Sequence, residues 1–191
     1  MSTWPAEAPI PNAASVENRL HSGESLLWSG RPDPSKHFTA KDAFLIPFTV
    51  LWAGFAIFWE ASVFGMTRGG RGPGIVFILF GAVFVAVGLY MVIGRFFVKA
   101  AQKRKTYYWI TTERAIITKD NGSWEDVILG QSPVRTRARG THGDVSFVAG
   151  GGPLGIDIWE NTGMPSFASR GGFGFYDVKD PQPMFDALRR R

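Results

Sequence analysis

Two long apolar runs interrupt an otherwise mixed chain. Phe44 to Phe64 carries a single charged residue, Glu60, in 21 positions, and Ile75 to Gly94 carries none in 20. About 20 helical residues rise roughly 30 Å, the thickness of a bilayer's hydrocarbon core. The pattern predicts two membrane-spanning helices. Between them, Gly65 to Gly74 holds five glycines and Pro73, residues that end helices and permit a reversal. So short a link joins only neighbouring antiparallel helices, and the expectation is a tight hairpin with both ends on one side.

After Lys105 the pattern turns from helical to extended. Thr106 to Ile110, Ala115 to Thr118 and Ser123 to Leu129 are rich in aromatic and β-branched residues. Asp120-Asn121-Gly122 is a hairpin turn signal. Val134 to Arg139 alternates strictly, placing Arg135, Arg137 and Arg139 on one face; Gly140 to Asp144 reads as a turn. Val145 to Ala149, Leu154 to Trp159 and Phe173 to Val178 complete seven short strands, with a longer loop over Glu160 to Gly171. A final helix follows, with Asp180 as its cap, Pro181 in its first position and Met184, Phe185 and Leu188 on its apolar face. The fold expected is an α+β membrane protein: a two-helix hairpin, then a small antiparallel barrel or sandwich with a C-terminal helix. Residues 1–43 form a leader and juxtamembrane segment, 44–98 the hairpin, and 99–191 the soluble domain. Met1 to Ser15 lacks the basic and apolar regions of a secretory signal and reads as a disordered leader. Residues 20–34 either add a strand or lie along the membrane.

Charge changes this picture by giving it an orientation. Lys36, Lys41, Arg95, Lys99, Lys103, Arg104 and Lys105 flank the spans on one side, against Arg68 and Arg71 on the other. Such asymmetry places the richer side in the cytoplasm. The cluster Arg95, Lys99, Lys103, Arg104 and Lys105 is expected at headgroup level as a membrane-surface anchor. Gly54 with Ala61, and Gly81 with Gly88, are the expected helix-packing positions, because small residues let membrane helices approach. Pro47 is expected in the first turn of its helix, where a missing N–H costs little. Glu60, one turn from the end of its run and beside Trp59, is expected at the interface, although an intramembrane carboxylate can also bind a partner or handle protons.

Three stretches carry a resemblance. They are Gly23-Glu24-Ser25-Leu26-Leu27-Trp28-Ser29-Gly30-Arg31-Pro32, Tyr108-Trp109-Ile110-Thr111-Thr112-Glu113-Arg114-Ala115-Ile116-Ile117, and Phe175-Tyr176-Asp177-Val178-Lys179-Asp180-Pro181. In this order around a helical hairpin, the chain resembles bacterial membrane proteins that carry a PH-like domain, over residues from about 20 to 191. The resemblance implies a partly open seven-stranded barrel with a C-terminal helix in the bacterial inner membrane. It implies no chemistry, since a fold does not settle function. Tyr108 and Ile110 would face the core, and Thr111 and Arg114 would shape the first turn.

Chemistry is sparse. The chain has no cysteine, so disulfides, thiol nucleophiles and Cys-based metal sites are excluded. His21, His37 and His142 are scattered without metal-ligand spacing, and His142 is expected in an exposed turn. The Gly-rich stretches lack the phosphate-binding or dinucleotide pattern, and no serine-hydrolase elbow or His-Glu-x-x-His motif occurs. The expectation is therefore no enzyme, no cofactor and no metal. Arg135, Arg137 and Arg139 are the candidate ligand-binding residues, for an anionic headgroup or an acidic partner. A solvated edge strand, kept charged against sheet-to-sheet association, is the plainer account of them. Nucleic acid is disfavoured for want of a recognition helix. The leading expectation is a non-catalytic accessory subunit or membrane scaffold, with membrane lipids and a membrane-protein partner or a homo-oligomer as its contacts. A lipid-headgroup module and a small transporter or channel component are the alternatives.

Overall fold

The computed structural model describes residues 16–39, 41–70, 74–131, 133–147 and 173–190. The chain divides into two compact units, a helical one within 34–102 and a β-rich one drawn from residues up to 33, 103–147 and the stretch from 173. The fold is α+β: a helical hairpin, then two antiparallel sheets with seven strands between them, and a C-terminal helix.

The hairpin pairs α1 (Asp42–Arg68) with α2 (Ile75–Leu89). A five-residue π-helical turn, Tyr90–Gly94, carries the second helix on into α3 (Arg95–Arg104). The runs Asp42–Arg68 and Ile75–Arg104 are both long and apolar enough to cross a membrane. α1 outruns the predicted span at both ends. It begins at Asp42, whose Oδ2 accepts the Thr39 N–H at 2.6 Å and the Thr39 hydroxyl at 2.8 Å. Pro47 is therefore inside the helix rather than in its first turn, where it removes one backbone hydrogen bond. Glu60 is eight residues from Arg68, so about two turns and not one separate it from the end of the helix.

The contact face of α1 is a stripe at spacings of three and four: Leu45, Thr49, Ala53, Ala56 and Val63 are buried, with half-buried Glu60 between the last two. Gly81 and Gly88 are the buried residues of α2, as the small-residue pattern expects. A β-carbon at Gly88 would lie 3.1 Å from Ala53 Cα, so the backbones approach closely there. Gly54 and Ala61 do not share that role. Both are exposed, and nothing approaches Gly54, because they fall outside the 3-and-4 register set by Ala53 and Ala56.

In the β-rich unit, β1 (Leu26–Gly30), β2 (Thr106–Thr111), β3 (Arg114–Lys119) and β4 (Trp124–Ile128) form one sheet in that order. β5 (Arg135–Arg139), β6 (His142–Ser146) and β7 (Gly174–Lys179) form the other. The chain's open question over residues 20–34 resolves into a strand: β1 lies antiparallel against β2, with Trp28 opposite Ile110. The predicted strand Leu154 to Trp159 and the loop after it, Glu160 to Gly171, lie outside the described residues. β2 is buried on both faces, which explains its apolar run. Tyr108 and Ile110 face the main core with Ala115, Val145, Phe147, Phe175 and Met184. Tyr107 and Trp109 face the other way, under Val16 and Leu20.

The last element, α4 (Gln182–Arg189), buries Met184, Phe185 and Ala187. Its cap is Pro181 and not Asp180, which takes a left-handed conformation, φ 49°, and donates its N–H to Thr141 O. Gly143 makes room for this helix, since a β-carbon there would strike the Pro181 ring.

Candidate functional site

β5 is the edge of its sheet among the described residues, paired only to β6. All five of its residues are exposed. Alternation puts Arg135, Arg137 and Arg139 on one face, opposite Ser146, Asp144 and His142 of β6. None of the three arginines is in an ion pair among the described residues. The result is a row of exposed arginines on one face of a strand at the sheet's edge. Such a row can bind carboxylates or phosphates bidentately.

The basic cluster at the end of the second helix splits in two. Arg104 and Lys105 are exposed. Arg95, Lys99 and Lys103 recur every four residues on one helix face and are buried. Arg95 Nη1 lies 2.6 Å from Asp42 Oδ1, and Lys99 Nζ donates to His37 O at 3.2 Å. Lys103 Nζ lies 2.7 Å from Asp177 Oδ2 and donates to Asp33 O at 3.1 Å. The charges of Arg95 and Lys103 are therefore neutralised within the chain.

Comparison with protein-family models, curated proteins and solved structures finds no match to this chain. The reading of the site rests on its own geometry.

A buried carboxylate that the sequence did not single out sits at the centre of a hydrogen-bond network in the β-rich unit. Glu24 is 8% exposed and accepts two hydrogen bonds of 3.0 Å from Arg114, through Nε and Nη2. Thr111 Oγ1 lies 2.5 Å from Glu24 Oε1, and the His21 N–H donates to Oε2 at 2.8 Å. Arg114 reaches on to Asp126 at 3.3 Å and to Arg19 O at 3.0 Å. Burial alone would push the Glu24 carboxyl up. The bonds from Arg114, Thr111 and His21, with the Arg114 charge, outweigh it and hold the carboxyl at about 2. The same pairing raises Arg114 further, against the opposing effect of burial. Thr111 and Arg114 do shape the β2–β3 turn: the Arg114 N–H donates to Thr111 Oγ1 at 2.9 Å. The signal that pointed to Glu24 was its place in the first of the three resembling stretches.

Two histidines acquire partners that spacing in the chain concealed. His21 Nδ1 lies 3.2 Å from Glu113 Oε2, and both come within 4.8 Å of a Glu24 oxygen. The Glu24 oxygens are already engaged by Arg114, Thr111 and His21 N–H, so this trio is better spent on the buried pair than on a metal ion. His142 is a strand residue and not an exposed turn residue: its Nε2 lies 2.9 Å from Asp33 Oδ2. The turn before it is shorter than predicted, because β6 already pairs with β5 at His142.

Proposed function

We propose that this protein is a non-catalytic integral membrane protein whose β-rich unit is a PH-like module serving as a protein-interaction platform. Its helical hairpin is the anchor. Phe44, Leu51, Phe55 and Phe58 of α1, and Val76, Leu79, Phe80 and Val83 of α2, are exposed, an apolar surface that water would penalise and hydrocarbon would not. The flanking Lys and Arg residues favour an arrangement with both ends cytoplasmic, as in a bacterial inner membrane. Topology follows their number, so the ion pairs made by Arg95 and Lys103 after folding do not weaken it.

The PH-like reading is supported by the convergence of the three resembling stretches. Glu24 of the first binds Thr111 and Arg114 of the second. Trp28 of the first and Tyr108 of the second both pack on Phe175 of the third, at 6.1 and 4.5 Å between ring centres. Pro32 bridges to Val178. The resemblance implies seven strands and a terminal helix, and the two sheets hold seven strands between them with a helix after the last.

One observation carries the functional choice. The buried acidic and basic side chains described in this unit, Glu24, Lys103, Arg114 and Asp177, are consumed in structural pairs, whereas Arg135, Arg137 and Arg139 stand exposed without ion pairs among the described residues. The binding face is therefore β5, and its partner is acidic. The test is purification of the full chain in mild detergent through a C-terminal tag, beside a variant with all three arginines changed to Glu. A stoichiometric protein partner lost from the variant supports the platform. Anionic lipid retained by the wild type and lost from the variant would replace it with a headgroup reader. No difference between the two preparations would remove β5 from the account.

A further inference from the structure

Glu60 is the only charged residue in either apolar run, and it points into the hairpin rather than away from it. Its carboxyl lies against Gly81 of α2 so closely that a β-carbon there would overlap it. Gly81 is thus the vacancy into which the carboxyl fits. The Oε2 atom is buried and has no hydrogen-bond partner among the described residues. Beside it runs an open groove lined by Ile57, Ala61, Phe64 and Val85, all apolar.

Among the described residues, nothing supplies what this oxygen lacks. Residues 75–89 of α2 contain no polar side chain. On α1, the Ser62 hydroxyl donates to Phe58 O at 2.8 Å and the Thr67 hydroxyl to Val63 O at 2.9 Å, so both are spent on their own helix. Two helical turns separate Glu60 from the end of α1, roughly 12 Å of rise, which sets it inside the hydrocarbon when the hairpin spans a bilayer. An acceptor without a donor is costly at that depth. Calcium or magnesium would need about six oxygen ligands, and the groove offers one carboxyl. A donor on a side chain, entering along the apolar groove, meets both conditions.

We propose that Glu60 and Gly81 form an intramembrane docking notch for a helix of a partner membrane protein that presents Lys or Arg at this depth. The sign of the charge selects the occupant: a second copy of this chain would bring another carboxyl to the same place. The proposal rests on the reading of the hairpin as membrane-spanning, and the experiment separates the two. The full chain is placed in sealed lipid vesicles with Gly69→Cys or Gln131→Cys, each the sole cysteine. Labelling of the two from opposite faces establishes the span; labelling from one face overturns span and notch together.

With the span established, the probes are a synthetic leucine-rich transmembrane helix bearing one Arg two turns from its end, and the same helix with Leu there. Association is read by energy transfer to the labelled chain. The Arg probe is expected to bind at least tenfold tighter than the Leu probe to the wild type. Glu60→Gln is expected to keep a reduced preference, and Glu60→Leu none, with helix content unchanged in both. Equal binding of the probes to the wild type would overturn the notch. So would self-association of the wild type that Glu60→Leu abolishes, because the groove would then be a seam between copies.

Discussion

Arg114 and Glu24 stand ninety residues apart in the chain and meet through two parallel hydrogen bonds of 3.0 Å. The pair fastens the segment before β1 to the turn between β2 and β3. Glu24 precedes a five-residue strand that, among the described residues, has a strand partner on one side only, so the strand gains from a tether beyond its ladder. Removing one member of a buried pair leaves the other charge unmatched, typically at about 3–5 kcal/mol. Arg114→Met is therefore expected to lower the thermal midpoint of the β-rich unit sharply, read by near-ultraviolet circular dichroism in detergent. Pairing it with Glu24→Leu should recover much of the loss. A double variant as unstable as the sum of the singles would deny the coupling.

Acid should find the same pair. The Glu24 carboxyl is held at about 2 in the folded protein against 4.5 in its ordinary state. A depressed carboxyl contributes stability that is fully present above the unfolded value and is lost as pH falls through the folded one. The window is therefore from about pH 5 down to pH 2. The difference corresponds to on the order of 3 kcal/mol across it. Denaturation at a series of pH values should show this slope for the wild type and a flatter one for Glu24→Gln. Equal slopes would mean that other carboxyls govern the acid limb.

The chain disclosed its elements unevenly, for physical reasons. Periodicity and length marked the hairpin, and the Asn121-Gly122 turn fixed β3 against β4, because those signals are local. β1 escaped because Leu26–Gly30 is short, ends in glycine and pairs with a strand some eighty residues away. Gly30 is there for a reason that no pattern shows: a side chain would collide with the Trp28 ring folded over it. The basic cluster after the second span looked uniform as a composition, yet Arg95, Lys99 and Lys103 share one face by their spacing of four while Arg104 and Lys105 do not. Their acceptors, Asp42, His37 O and Asp177 among them, are distant in the chain. Glu60 is two turns from the helix end and not one because α1 continues through Gly65 to Arg68, past the glycine that was expected to stop it.

Helix packing yields a contrast between two glycines of the hairpin. A β-carbon at Gly88 would press on Ala53 at 3.1 Å, whereas one at Gly54 would meet nothing within 4 Å. Gly88→Leu should cost about 1–3 kcal/mol through overpacking. Gly54→Leu should stay within about 0.5 kcal/mol of the wild type, as exposed changes usually do. Resistance of the hairpin to denaturing detergent checks both. Equal sensitivity at the two positions would mean that the helices meet on another face.

Lys103 and Asp177 offer the sharpest separation of charge from conformation. Both side chains are buried, the first 6% and the second 2% exposed, and their contact is 2.7 Å. Asp177 also holds a left-handed backbone, φ 54°, and its N–H donates to Asp144 Oδ1 at 2.8 Å. Asn tolerates that conformation about as well as Asp, whereas a β-branched residue does not. Lys103→Met strands the Asp177 carboxylate without its cation and should cost about 3–5 kcal/mol. Asp177→Asn keeps the backbone and still offers Lys103 an oxygen, and Asp33 O remains as an acceptor, so its cost should be smaller. Asp177→Val loses both the acceptor and the conformation and should be the most damaging of the three. Thermal unfolding of the full chain ranks them. If Asp177→Asn proves as harmful as Asp177→Val, charge alone decides the site and the left-handed backbone contributes little.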